Sequence, residues 1–290
     1  MDTSKAGTAA GLVNAMSVDV EDYFQVSAFE NNINSKDWDK LPCRVETNTN
    51  HILELFAEHG ARATFFMLGW VAERYPELVR RIVDAGHELA SHGYTHTRIT
   101  QQTPEAFSED IAKTKALLED IAGCEVLGYR AASYSIVNKT LWAHDLLQEA
   151  GYRYSSSIYP IHHDLYGIPD APRFSYHPGE AGLLEIPITT VSLLNRNFPC
   201  GGGGYFRLLP YRVSRWAMQY VNKNDRQPCV FYFHPWEIDP GQPRQQGISR
   251  KTQFRHYLNL DRMKDRIGRL LTDFNWDRMD RIFLPGREFS

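Results

Sequence analysis

Four cysteines in 290 residues (Cys43, Cys124, Cys200 and Cys229) are widely separated and form no Cys-x-x-Cys pair. They read as reduced thiols, which points to the cytoplasm. Basic charge is not in excess either: 32 Lys and Arg against 35 Asp and Glu leave a formal net charge of −3. Binding a phosphate backbone needs clustered positive charge, so a nucleic-acid partner is not expected. No run approaches the roughly 20 apolar residues of a membrane-spanning helix. Met1–Gly11 is small and polar, without the apolar stretch of a secretory signal. A soluble, intracellular protein is the expectation. The glycine run in Pro199–Tyr205 lacks the Lys-Ser/Thr of a phosphate loop, which argues against a nucleotide and for a flexible turn near the site. Internal repeats and evident linkers are missing as well.

What is present is a globular composition, 42% hydrophobic and 12% aromatic, in a chain long enough to bury a sizeable core. Short apolar runs alternate with segments of helical spacing. Ala15–Val20 reads as a strand ending in an acidic cluster, Arg44–His59 as a helix closed by Gly60, and Ala63–Leu68 as a strand buried on both faces. Pro76 opens a helix that stops at Gly86, and Glu88–Ser91 is the next strand. Helices over 104–121 and 138–150 flank a strand end at Gly128–Arg130, and strands at Tyr152–Ser155, Leu184–Ile188 and Val230–Phe233 follow. Residues 241–290 read as a polar loop, a helix over about Leu258–Phe274 and a tail. Repeated strand–helix units imply a parallel sheet, and closure into a barrel would bring the strand C-termini to one face.

The residues with chemistry sit at those strand ends. His92 and His96, in Ser-His-Gly-Tyr-Thr-His, can aim at one point. A carboxylate from elsewhere would complete a three-ligand site with an open position, the arrangement of a catalytic metal. Asp19, Glu21 and Asp22 supply the candidates, one as ligand and another as general base. Arg130 can pin a catalytic carboxylate by a charge-assisted hydrogen bond. His234, just after Val230–Phe233, is a candidate general acid. Tyr23 and Trp236 offer flat apolar surface of the kind that packs against sugar rings.

In this order the strings resemble the polysaccharide deacetylase superfamily (carbohydrate esterase family 4, the NodB-homology domain) over roughly Ala15 to Asp239. The wording Val-Asp-Val-Glu-Asp-Tyr-Phe, with His-Pro-Trp-Glu and Gly-Gly-Gly-Tyr-Phe-Arg, is similar to the subgroup found with exopolysaccharide and exosortase loci. The resemblance implies an α/β fold, a distorted (β/α) barrel over residues 1–240 with a C-terminal extension, 241–290, packed on the same domain. It implies a metal-dependent hydrolase that removes N-acetyl groups from sugars of a bacterial exopolysaccharide or its precursor, with Zn²⁺ as the expected cation. A carbohydrate substrate and the exopolysaccharide machinery would be its partners.

By the same resemblance His92 and His96 hold the metal, Asp19 is the base steadied by Arg130, and His234 is the acid. The carboxylate ligand stays open between Asp22 and Glu21: an acid-x-acid spacing selects Glu21, an adjacent pair selects Asp22. Tyr134, close behind Arg130, falls in the substrate region, with a backbone N–H near it for the oxyanion. The chain departs from the family in one place. No Asp-Trp string that would tune the acid histidine is recognisable in Tyr154–Tyr159, so His234 has no assigned partner. Two alternatives remain: hydrolysis of another amide, a formamido sugar or cyclic ureide, and a non-catalytic carbohydrate-binding scaffold.

Overall fold

The computed structural model describes residues 11–163, 166–179, 182–284 and 286. The reading of Met1–Gly11 as no secretory signal, apart from Gly11, and the last residues of the extension fall outside them.

Strand β1 (Val13–Val20) lies at the centre of a curled parallel sheet, paired with β2 (Thr64–Met67) and with β9 (Val230–Phe233). From β2 the sheet runs on through β3 (Glu88–Ser91), β4 (Gly128–Tyr129), β5 (Tyr154–Ser155) and β6 (Leu184–Glu185), every pair parallel. Because all these strands point one way, all their C-termini open on one rim. This is the α/β half-barrel that the strand–helix alternation predicts.

Side chains on a strand alternate in direction, and β1 uses both faces. Met16, Val18 and Val20 join the outer core against the helices, whereas Ala15 packs in the barrel interior with Phe66, Tyr154 and Tyr232. Ser17 and Asp19 share the parity of Ala15, which turns the Asp19 carboxylate inward at the rim. The outer core is covered by α1 (Val45–Glu58), α2 (Gly69–Arg74), α3 (Pro76–Asp84), α4 (Pro104–Ala122) and α5 (Ala143–Glu149). Helix α4 shows why these segments stop and start where they do. Thr103 caps it by accepting from Ala106 N, Pro104 occupies the first turn, and Gly123 ends it in the left-handed region at φ 66°.

Strands β6 and β9 do not pair among the described residues, and the gap is closed by chain that the periodicity did not reveal. After the β7 (Thr190–Leu193) and β8 (Arg196–Pro199) hairpin, Gly202 bridges to Tyr232 in parallel. The glycine run is therefore a closure piece leading into α6 (Gly203–Leu208), not the flexible turn expected. A Cβ on Gly201 would stand 2.4 Å from Val230 O, and one on Gly203 2.2 Å from Glu237 Oε1. Close approach, rather than flexibility, demands glycine there.

Helix α7 (Tyr211–Tyr220) follows. The C-terminal segment then supplies α8 (Arg250–Tyr257), α9 (Met263–Asp273), β10 (Asn275–Asp277) and α10 (Met279–Phe283). The single helix expected over 258–274 is thus two, and the tail is structured: β10 pairs with the start of β1. Met279 enters the barrel interior, and its N–H donates to Thr64 Oγ1. Asp280 N, Tyr154 OH and Thr64 Oγ1 all donate to buried Glu88, which seals the end of the barrel opposite the rim.

Candidate metal centre and active site

At the rim, one carboxylate and two imidazoles converge. Ligand atoms of Glu21, His92 and His96 lie within 4.8 Å of one another, and all three residues are buried. His92 leaves the end of β3 with Nδ1 2.8 Å from Arg130 O. A carbonyl only accepts, so Nδ1 carries the proton and Nε2 keeps its lone pair. His96 sits at φ 54°, a backbone state a non-glycine residue rarely adopts. The loop that holds it there is tied at several points: Gly69 and Trp70 N–H donate to Gly93 and Tyr94 carbonyls, and Tyr94 N–H donates to Asp110.

The donor set suits a divalent cation. Glu21 Oε2 is buried and accepts no hydrogen bond, although His96 Nε2 is 3.0 Å away. Burial holds the His92 imidazole below its ordinary value and lowers His96 to about 4, so both are neutral ligands at neutral pH. Two nitrogens and one carboxylate oxygen match the ligand preferences of Zn²⁺.

Asp22 stands outside this cluster. Its Oδ2 accepts from Arg44 N and Val45 N and its Oδ1 from Tyr23 N, so its carboxylate is taken up at the N-terminus of α1. The carboxylate left open by the sequence is Glu21 in this geometry. Tyr23 is also displaced from the sugar-facing place expected of it. Its ring packs edge-on against Phe24, 5.2 Å between centroids, and does not line the site cavity.

Asp19 faces the cluster from the other side. Arg130, 0% exposed, donates from Nη1 to Asp19 Oδ1 at 2.5 Å and to Ser17 Oγ at 2.9 Å. Its remaining donors go to Ser156 O and Oγ and to Met279 Sδ. Burial alone would push the Asp19 carboxyl up, but Arg130, with His92 and His234, outweighs it and holds the group below the usual carboxylate range.

His234 Nε2 lies 3.9 Å from Asp19 Oδ2 and 3.5 Å from Glu21 Oε1. Its Nδ1 donates to Glu237 Oε1 at 2.8 Å, and Arg207 Nε donates to Glu237 Oε2 at 2.6 Å. Burial disfavours the imidazolium, yet Glu21, Glu237 and Asp19 overcome it and raise His234 to about 9. Glu237 is the partner the sequence left unassigned. It stands three residues on, in His-Pro-Trp-Glu, and the buried Arg207 helps to hold it well below its ordinary value against the effect of burial. The signal was the His-x-x-Glu spacing itself.

The cavity above these groups, about 210 Å³, is lined by Tyr134, Tyr166, Tyr232 and Trp236 among others. Trp236 donates from Nε1 to Glu21 Oε1 at 3.1 Å and stacks on His234, 5.1 Å between centroids, so it positions the metal-side carboxylate as well as lining the cavity. Ser133 and Tyr134 both sit at left-handed φ, 51° and 50°. The Tyr134 N–H is already given to Ala131 O, so it is not free for an oxyanion.

The likeness in fold is direct. A Mycobacterium smegmatis structure assigned as a polysaccharide deacetylase superposes with a TM-score of 0.62 at 18% identity, covering 96% of this chain and 93% of that one. An allantoinase structure gives 0.58 at 15% identity, over 92% and 87%. These likenesses define the architecture, a NodB-type (β/α) barrel. Residues 37–155 match the family described as Polysaccharide deacetylase, and this part of the chain is a domain of that type; residues 156–284 match the family described as Domain of unknown function (DUF3473).

His92, His96 and Arg130 fall in the first match and His234 in the second, while Asp19 and Glu21 precede both. A peptidoglycan deacetylase of Helicobacter pylori is 32% identical over 119 residues, 41% of this chain and 39% of that protein. A chitooligosaccharide deacetylase of Rhizobium leguminosarum bv. trifolii is 32% identical over 114 residues, 39% of this chain and 49% of that protein. The chain thus spans less than half the length of these two relatives.

Proposed function

We propose that the protein is a metal-dependent hydrolase that removes N-acetyl groups from sugars of a bacterial glycan. The observation that carries this is the meeting of Glu21, His92 and His96 beside an ionised Asp19 and a proton-bearing His234. Glu21, His92 and His96 would hold the cation, with Zn²⁺ favoured by two imidazoles and one carboxylate. When bound, such a cation polarises a carbonyl oxygen and brings the pKa of water toward ~7. Asp19, kept ionised by Arg130, takes the proton from the attacking water. His234, held by Glu237, gives its Nε2 proton to the departing nitrogen. An amide needs both steps, since its nitrogen leaves only when protonated. The presence of base, acid and their supports favours catalysis over a scaffold that has lost its chemistry.

The wording of the motifs favours an exopolysaccharide or its precursor as the glycan. The described cysteines are unpaired, which suits a reducing compartment. Among the described residues no helix is long and apolar enough to cross a membrane.

The test is acetate release from N-acetylated glycans with and without added divalent metal, set beside formylated and cyclic amides. Metal-dependent acetate release that disappears in His92→Ala is the expected result. An undiminished rate in that variant overturns the reading, and faster turnover of the formyl or cyclic amides reassigns the substrate.

A further inference from the structure

The site cavity does not end at His96. On the far side of that side chain lies a polar cavity of about 230 Å³ that shares His96, Val26 and Ser27 with it. Gln25 and Trp38 line this second cavity, with Glu30, Thr97 and Gln101 around them. Gln25 is 3% exposed and Trp38 5%, yet Gln25 Nε2 and Trp38 Nε1 find no acceptor among the described residues. Arg98 Nε is a third such donor, on a guanidinium paired with Glu30.

The Gln25 amide is fixed in orientation. Its Oε1 accepts from Asp22 N at 2.7 Å, so the nitrogen is the group left over. Trp38 is fixed as well, edge-on to Trp70 at 5.5 Å between centroids. Buried donors without acceptors destabilise a fold, and native proteins keep few of them. Two in one cavity wall, next to the reacting position, ask for a ligand that brings oxygen acceptors.

We propose that this cavity binds the sugar residue adjacent to the one deacetylated, with Gln25 Nε2 and Trp38 Nε1 donating to its hydroxyl or acetamido carbonyl oxygens. This rests on the reading of the site as a glycan deacetylase and deepens it: the substrate is a glycan of more than one sugar, held on the His96 side of the metal centre. A single sugar in the central cavity would leave these donors unused.

Two conservative variants isolate the donors. Trp38→Phe keeps an aromatic ring and removes the N–H; Gln25→Glu keeps the oxygen that accepts from Asp22 N and removes the amine. Calorimetric binding of an N-acetylglucosamine tetrasaccharide and of N-acetylglucosamine itself should show about a tenfold loss for the tetrasaccharide in each variant and no change for the monosaccharide. The unfolding midpoint of Trp38→Phe should stay level or rise, because an unsatisfied buried donor has gone.

Equal tetrasaccharide affinity in wild type and both variants would mean the cavity holds trapped water only, and would overturn the proposal. So would a wild type that binds the tetrasaccharide no tighter than the monosaccharide, or a loss of folding stability in both variants without selective loss of the longer ligand. Because the readout is binding, it stays informative if the wild type releases no acetate. In that case the activity fails while selective tetrasaccharide loss still supports the subsite.

Discussion

His234 and Asp19 differ in protonation because their neighbours differ, not because of their depth. Both are enclosed, but Arg130 faces the carboxylate while Glu21, Glu237 and Asp19 face the imidazole. Replacing the acid without touching the ligands should therefore separate turnover from metal binding. His234→Ala is expected to lower kcat by about 10²–10⁴-fold while a bound metal stays with Glu21, His92 and His96, read by acetate release alongside metal content.

A second residue-scale prediction concerns stability. His87 Nδ1 accepts from Ala63 N, which requires a neutral ring. Burial, with Arg62 and Arg278 nearby, lowers it from 6.5 to about 4. The unfolded chain thus binds more protons than the folded one between those values. Stability is complete above the upper value and falls as pH drops through the window, by at most about 3 kcal/mol from this residue. His87→Gln keeps an acceptor without a titratable ring. Its urea midpoint should fall less than that of the wild type between about pH 7 and about pH 5; equal falls would count against the assignment.

At the scale of elements, the barrel depends on pieces that lie far from its first strands in sequence. Met279 fills the interior beneath Arg130, and α10 seals the end through Thr64 and Glu88. Met279→Ala should cost about 2–5 kcal/mol by leaving a cavity and should loosen the support of Arg130. Turnover would then fall along with the denaturation midpoint. A variant with wild-type stability would show that the C-terminal segment is only a covering.

The helices α1 to α5 and the long strands were legible because their apolar spacing is local. The β7–β8 hairpin, β10 and the glycine closure were not, because their pairing partners are remote and their runs too short for periodicity to show. Gly201 and Gly203 illustrate the limit. Their need for glycine arises from Val230 O and Glu237, about thirty residues on, and nothing in the local string displays that contact.

Over the whole molecule, the sequence showed which residue types reach the rim but not how the acidic cluster divides its work. Asp19, Glu21 and Asp22 are nearly contiguous, and the structure sends them to three places: the Arg130 pair, the metal cluster and the N-terminus of α1. Strand parity explains the inward turn of Asp19, and the capping of α1 explains why Asp22 departs. Tyr23 follows Asp22 away from the cavity, which is why an aromatic that looked apt for sugar packs in the core instead. Glu237 and Arg207 escaped notice for the reverse reason: each looks like an ordinary surface charge until the fold buries it beside His234.

The central claim is that Glu21, His92 and His96 together form one cation site. Calorimetric titration of Zn²⁺ into chelator-stripped protein tests it most directly, for the wild type and for Glu21→Gln, His92→Ala and His96→Ala. We expect one stoichiometric tight site in the wild type, lost or weakened at least about a hundredfold in each variant, with Asp22→Asn retaining it. A stoichiometric site that survives in all three variants, or one that Asp22→Asn alone abolishes, would contradict the account.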